Sequence, residues 1–333
     1  MRYYLINIVR PAAPAAAGRP AVTGVVLRSY RAQSPAGFVL PNALDVDFDI
    51  PVTSFATPMG GGHVRIYGID LDTLIQASNF NLMNIEVFGG MQRGLPLAKP
   101  AQAGLLMTGT IQQAFGNWVG TDMTLELIYS AGATLPEVPI NLTINWEAGR
   151  SLADALRATL RAAFPPPYTL TINISPRLVL PHVQPGYYAT MLQFATFVRN
   201  ISLGIIRDRG YAGVQISLRG TEFVIQDGST RTPPKAIMFN DLVGQIVWLS
   251  ANTISVTTVM RGDLQPGDFV ALPPNLAFLQ SLTTAQSQSQ ARARDAFAGM
   301  FQINNARHTG RFRASSGMSW VTTFQMVKML ANV

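Results

Sequence analysis

Residues Leu44–Ile50 read Leu, Asp, Val, Asp, Phe, Asp, Ile, a strict two-residue alternation. Successive side chains of an extended strand point to opposite faces, so this segment has one apolar face and one acidic face. As a helix it would scatter the same apolar residues around the axis and bury none of them well. Other segments of similar length share this extended character: Tyr3–Val9, Thr23–Tyr30, His63–Ile69, Leu82–Phe88, Leu105–Gln112 and Met123–Tyr129. Gly60-Gly61-Gly62, Gly89-Gly90 and Gly116-Asn117 supply turn signals among them. Regularly spaced short strands predict an antiparallel sandwich or barrel. A short helix over Leu71–Ser78, with Asp70 as its N-cap, interrupts them.

Beyond Pro136 and Pro139 the pattern changes. Ser151–Phe164 carries apolar residues at 152, 155, 156, 160 and 163, which is helical spacing. Ser151 followed by Asp154 resembles a capping box, and Pro165-Pro166-Pro167 ends the helix. A strand over Thr169–Ser175, a helix over Tyr188–Leu203 and a hairpin of Val214–Leu218 with Glu222–Gln226 complete an α/β middle. After Thr232-Pro233-Pro234 the chain is β again: Ala236–Phe239, Gln245–Leu249, Thr253–Met260 and Asp268–Ala271. Residues 281–299 are polar and low in complexity and read as a surface loop or arm. The final strands, Met300–His308 and Trp320–Val327, flank a basic loop of small residues, Thr309–Ser319. The expected organisation is therefore mainly β with an α/β insert. Residues 1–138 form a first β domain, 139–231 an α/β middle domain, and 232–333 a second β domain that includes the polar 281–299 segment.

The 333 residues suffice to bury a core without disulfides or metals, and there is no cysteine to form disulfides, thiolate nucleophiles or cysteine zinc sites. Charged residues make up only 13% of the chain, whereas a soluble domain averages about 25%. The depletion is expected either from extensive burial against neighbouring chains, because obligate interfaces shed charge, or from a merely hydrophobic protein. No apolar run reaches the roughly 20 residues that span a bilayer. The apolar stretch Tyr3–Val9 contains Asn7 and reads as a strand and not as the core of a signal peptide, which predicts a cytoplasmic product. Net charge is +7 and uneven. Residues 1–150 hold nine Lys/Arg against ten Asp/Glu, and residues 151–333 hold sixteen against eight. Such a basic half predicts a polyanionic partner or an acidic neighbour, or else ordinary solvated charge.

The chain offers little catalytic chemistry. His63, His182 and His308 are far apart in sequence and fit no metal-ligating spacing. His308 reads as a polar residue at a strand end. Asp45, Asp47 and Asp49 lie along one strand face, whereas a cation-binding loop wraps its ligands around the ion, so a solvated or salt-bridged face is expected. Gly60-Gly61-Gly62 precedes a strand and lacks the helix N-terminus that cradles phosphate. Ser315, Ser316 and Ser319 lie outside any nucleophile elbow. No pair of carboxylates identifies itself as a glycosidase couple, so a wall-degrading hydrolase has no support. Arg292, Arg294, Arg307, Arg311 and Arg313 suit phosphate contacts, and Phe312 and Trp320 are aromatics of the kind that stack on bases. No cofactor site is expected.

Three places in the chain resemble the central baseplate hub proteins of contractile-tailed bacteriophages and related injection machines. ALDVDFDI, HVRIYGI, IEVFGG and LLMTGTIQQAF resemble successive strands of a hub tube domain. EAGRSLADALRATLRAAF, LTINIS and PPKAIMFNDLVGQ resemble the hub insert and its return into a second tube domain. FQINNARHTGRFRASSGMSW resembles the closing hairpin, with His308, Gly310 and Trp320 at its marker positions. Gly310 is followed here by Arg311, where the family often has Asp, which changes the local charge. The resemblance implies two tube-like antiparallel barrel or sandwich domains per chain and a non-enzymatic homotrimer forming a pseudo-sixfold ring. The ring adapts a hexameric tail tube to a trimeric spike. The implied partners are the tail tube protein, the spike, the tape measure protein and surrounding baseplate proteins, with DNA passing transiently and no membrane. The implied location is the virion tail. Asp45, Asp47, Asp49, Arg307, Arg311 and Arg313 are the candidate subunit-interface or lumen residues. A basic nucleic-acid-binding virion protein, or another tail-tube or distal-tail component, is the alternative.

Overall fold

The computed structural model describes residues 2–11, 24–54, 61–91, 99–131, 140–166, 168–208, 211–219, 221–229, 233–250, 252–273, 297 and 299–329. The expected domain boundaries at 138/139 and 231/232, Gly60, Arg292, Arg294 and most of the 281–299 segment lie outside these residues.

The first β region contains β1 (Arg2–Arg10), β2 (Val25–Arg31), β3 (Val46–Val52), β4 (Gly62–Tyr67), β5 (Asn84–Met91), β6 (Gly104–Val119) and β7 (Asp122–Ala131). A one-turn helix, α1 (Leu71–Ile75), lies between β4 and β5; its Asp70 cap accepts the Thr73 N–H at 2.6 Å. The middle contains β8 (Leu142–Trp146), α2 (Leu152–Ala163), β9 (Thr169–Asn173), β10 (Gln184–Tyr188), α3 (Met191–Ile205), β11 (Gln215–Arg219) and β12 (Glu222–Gln226). The last part contains β13 (Lys235–Ala236), β14 (Val247–Ser250), β15 (Thr253–Val259), β16 (Phe269–Ala271), β17 (Met300–Arg311) and β18 (Trp320–Lys328). The protein is thus mainly β with an α/β insert, as the alternation and helical spacing predict.

Strand alternation is realised as burial. Val46, Phe48 and Ile50 of β3 are fully buried, while Asp47 and Asp49 face the other side. Each large side chain buried in this way contributes about 1.5–3 kcal/mol. The helix α2 buries Leu152, Ala155, Leu156 and Leu160, with Ser151 capping the Asp154 N–H at 3.2 Å. Three separate apolar cores result. One fills the first β region, a second lies between the helices and strands of the middle, and a third fills the last part.

Some strands differ from the sequence expectation. β6 runs through Gly116-Asn117 and turns only after Val119, because a bulge between Ile111 and Gln113 bends it from its partner β5 to its partner β7. The segment at Ala236–Phe239 is a two-residue strand followed by a 3-10 turn, and α3 begins three residues later than its apolar spacing indicates, since Gln184–Tyr188 pairs with β8. Among the described residues no closed barrel forms. Instead one 13-stranded sheet runs through both β regions in the order β14-β15-β18-β17-β3-β4-β7-β6-β5-β1-β2, with β13 and β16 attached through β17.

The two β regions also meet at the start of β6, where Gly104 and Gly262 touch backbone to backbone. A Cβ on Gly262 would stand 2.6–2.7 Å from the Gly104 backbone, and the Gly262 N–H donates to the Gln102 carbonyl at 2.8 Å. Backbone on both sides leaves nothing to yield. Gly262→Ala is expected to cost about 1–3 kcal/mol, as overpacking does, read as a lower urea midpoint; an unchanged midpoint would show that the contact opens freely.

Candidate functional site: the seam between the two β regions

The sheet becomes continuous where β17 pairs antiparallel with β3. Their register places Arg307 opposite Pro51, Thr309 opposite Asp49, Gly310 opposite Phe48 and Arg311 opposite Asp47. The acidic strand and the basic hairpin, 258 positions apart, are therefore direct neighbours within one chain. Both present their charged side chains to the same face, because both bury the alternate positions.

All six sequence-identified residues fall at this seam. Arg307 grips Asp49 with both arms of its guanidinium, Nε to Oδ1 at 2.7 Å and Nη2 to Oδ2. The Arg307 hydrogen bond draws the Asp49 carboxyl below its ordinary range, against the opposing effect of burial. Arg311 stands opposite Asp47, with its guanidinium 5.9 Å from the Tyr67 ring centre. The Arg313 backbone N–H donates to Asp45 Oδ1 at 2.9 Å, and its guanidinium reaches the Ala43 carbonyl at 2.6 Å. Of the three aspartates, expected on a solvated or salt-bridged face, Asp49 is in a salt bridge and Asp45 accepts a backbone N–H. Among the described residues no group of three or more His, Asp or Glu is placed to hold a metal.

The apolar side of the seam is equally specific. Gly310 lies under Phe48 and Trp320: a Cβ there would stand 2.4 Å from Phe48 Cζ and 2.8 Å from Trp320 Cζ3. Trp320 is buried, donates its indole N–H to the Gly90 carbonyl at 2.9 Å, and packs edge-on to Phe48 at 5.2 Å. Phe312 packs edge-on to Tyr4 at 4.9 Å. The two aromatics that the sequence offers for base stacking are thus committed to the core. The reason is the strand period, which turns Trp320 inward and folds Phe312 beneath the hairpin.

Sequence reasoning misses Arg2. Its guanidinium donates to the carbonyls of Arg311 at 2.7 Å, Phe312 at 3.0 Å, Ala314 at 2.5 Å and Ser316 at 2.8 Å, and to Ser319 Oγ at 3.1 Å. It also lies 5.9 Å from the Trp320 ring centre. One planar fork organises the whole turn of the closing hairpin, a geometry the single ammonium of lysine cannot copy. Nothing in the sequence around Arg2 points to residues 311–319. Arg2→Lys is expected to lower the melting temperature by a few degrees, a loss of about 1–2 kcal/mol, and to speed amide exchange across 311–319. Unchanged exchange there would refute the clasp.

His308 also departs from expectation. It is not at a strand end: β17 continues to Arg311, and the imidazole is fully buried. Its Nδ1 lies 2.8 Å from Thr322 Oγ1, which accepts the Arg261 N–H at 3.1 Å, while Nε2 meets no hydrogen-bond partner. Burial pushes its pKa down from 6.5 to about 3, so the ring is held neutral. The unfolded chain therefore takes up this proton first. Stability from this group is complete above the unfolded pKa and falls as pH drops from about 6.5 towards 3, by up to about 1.4 kcal/mol per unit. Replacing the ring by an uncharged amide, His308→Gln, is expected to flatten that part of the stability–pH curve. An equally steep curve would place the acid sensitivity elsewhere.

A second polar junction lies beside the glycine contact. Asp241 is buried and accepts from Arg261 Nη1 at 3.2 Å, Gln102 Nε2 at 3.1 Å, Lys99 Nζ at 3.3 Å and the Met238 N–H at 2.9 Å. Burial raises its pKa, but the Met238 and Gln102 hydrogen bonds and the two cations outweigh that and bring the net shift down. Residues 99 and 102 belong to the first β region and 241 and 261 to the last, so this network fastens the same two parts as the seam.

No protein-family model and no curated protein sequence matches the chain. Solved structures do share its fold. A tail protein from Neisseria meningitidis MC58 superposes with a TM-score of 0.52 at 12% identity, covering 98% of this chain and 96% of that one. The E. coli c3393 protein, a type VI secretion component with structural similarity to the T4 bacteriophage tail proteins gp27 and gp5, gives 0.50 at 11% identity, covering 87% and 75%. A chain of the Francisella PdpA–VgrG complex gives 0.50 at 7% identity; this protein is covered in full and spans 60% of that chain. The fold is that of phage-tail and type VI secretion baseplate-hub proteins, as the resemblance of the three sequence segments implies.

Proposed function

We propose that this protein is a non-enzymatic structural hub at the base of a phage tail tube, in which three copies close into a ring around a channel. The two β regions of each chain supply two of six similar positions. The ring thereby matches a hexameric tail tube on one side and a trimeric spike on the other. The tail tube protein, the spike, the tape measure protein and surrounding baseplate proteins are its partners, and DNA passes through it. The site of action is the virion tail.

The observation that carries this reading is the condition of the sheet edges. Strand β14 ends the sheet on one side, with Val247 and Leu249 more than half exposed. Within the sheet, β6 is left by β5 after Thr110, and beyond Ala114 its projecting tip pairs only with β7, with Trp118 61% and Val119 75% exposed. Neither β14 nor β6 carries a charged residue. Isolated edges are normally guarded by charge or proline, and β2 is guarded in this way by Arg28 and Arg31. Among the described residues, the apolar β14 end of the sheet and the projecting tip of β6 lack such guards, and they fit each other when the β14 edge of one copy meets the β6 tip of the next. Such a head-to-tail contact closes as a ring when its rotation divides a full turn.

The nucleic-acid-binding alternative loses its aromatic platform, because Trp320 and Phe312 are packed inward. Sedimentation of Val247→Lys/Leu249→Lys is the test. The expected result is a trimer for the parent chain and a folded monomer for the variant, with at least a tenfold loss of association, about 1.4 kcal/mol or more. A parent chain that stays monomeric, or image averages without a threefold pore, would defeat the ring.

A further inference from the structure

The polar face of the joined sheet carries a charge order with a consequence for its cargo. In register across four strands stand Arg311 on β17, Asp47 on β3, Arg65 on β4 and Glu126 on β7. The signs alternate along the row. Arg65 is ion-paired with Glu126, and one step along Asp49 is ion-paired with Arg307. On the side of the second β region the same face continues through Thr257 and Thr323, then Ser255, Gln325 and Asn305, all uncharged. In these rows three arginines and three carboxylates stand together and cancel. The chain as a whole is +7, so its excess of positive charge lies elsewhere.

Stability alone does not account for this arrangement. Exposed pairs contribute about 0–1 kcal/mol each; Arg307 is 64% exposed, and although Glu126 is buried its partner Arg65 is 40% exposed. Threonines, which pair across strands at Thr257–Thr323 on the same face, would hold the sheet as well. What the alternation does achieve is occupancy. Arg65 and Arg307 are already ion-paired and Arg311 stands opposite Asp47, so a phosphate arriving at the paired arginines must displace one ion pair to make another.

We propose that this face is a charge-masked wall, built for a polyanion to pass over without being held. This rests on the reading of the ring as a channel, with the polar face turned to its lumen. The aspartates at 47 and 49 are then the masking groups for Arg311 and Arg307. They keep duplex DNA from gaining the phosphate contacts and counterion release that drive non-specific binding.

The test compares Asp47→Asn/Asp49→Asn with a matched control, Asp154→Asn/Asp208→Asn. The control changes net charge equally and frees two exposed arginines, Arg157 and Arg177, on the middle region. Duplex DNA retention is measured over a salt titration. The expected result is weak, similar retention for the parent and the control. The seam variant gains about tenfold or more at low salt, with a salt slope steeper by about 2, close to 0.9 per freed arginine. Asparagine is isosteric with aspartate. Should the double variant not fold, Asp49→Asn alone frees Arg307 and is expected to steepen the slope by about 1. An equal gain in the control would overturn the proposal, because net charge would then explain the binding. It would also be overturned by strong, salt-steep binding in the parent that Arg65→Gln/Arg307→Gln/Arg311→Gln abolishes. Image averaging of the same samples separates the two readings. A ring without the binding gain refutes masking alone, and the gain without a ring refutes the channel alone.

Discussion

The pairing of β17 with β3 is the contact on which the rest of the molecule depends. It converts two β regions into one sheet, sets the acidic strand beside the basic hairpin, and brings Phe48, Gly310 and Trp320 into one packed layer. A slip of one residue would turn every charged side chain of β17 into the core and expose His308. The register is therefore enforced from both faces at once, by burial on one and by the Arg307–Asp49 fork on the other. Arg2 adds a third restraint by holding the hairpin turn through four carbonyls and a hydroxyl.

That seam also explains why the protein has few charges and still needs the ones it has. The charged fraction is low, and several of the ions the chain does carry are drawn to the joints between parts. Asp241 and Arg261 lie buried between the first and last β regions, and Arg219 reaches Asp268 at 3.0 Å between the middle and the last. Removing one partner of a buried pair leaves an uncompensated charge, which is costly, whereas an apolar pair would serve for simple adhesion. Ions at these joints fix the relative orientation of the parts they join.

The element types were largely legible because both helices and strands declare themselves by the spacing of apolar residues. Ser151–Phe164 and Leu44–Ile50 are the plainest cases. Misreadings arose where local rules met a tertiary demand. Gly116-Asn117 has turn composition, yet β6 carries it through, since the bulge near Ile111 lets one strand serve two partners. His308 has the character of a surface residue, yet the hairpin extends three residues further and places it in the core. The candidate charges at 45, 47, 49, 307, 311 and 313 were identifiable one strand at a time, from the faces they occupy.

By itself the sequence determined the faces: alternation decides which side chains of each strand are buried, and this needs only the geometry of an extended chain. It also determined the three-part composition and the absence of thiol chemistry. Only the tertiary structure decided which faces meet. Strand pairing between residues 258 positions apart leaves no periodic trace in either segment, and the Arg2 clasp joins residue 2 to residues 311–319 with no local signal at all. Those contacts depend on how the sheet closes in space. The alternating row of charge, which emerges only when four strands stand side by side, belongs to the fold and to no single stretch of the chain.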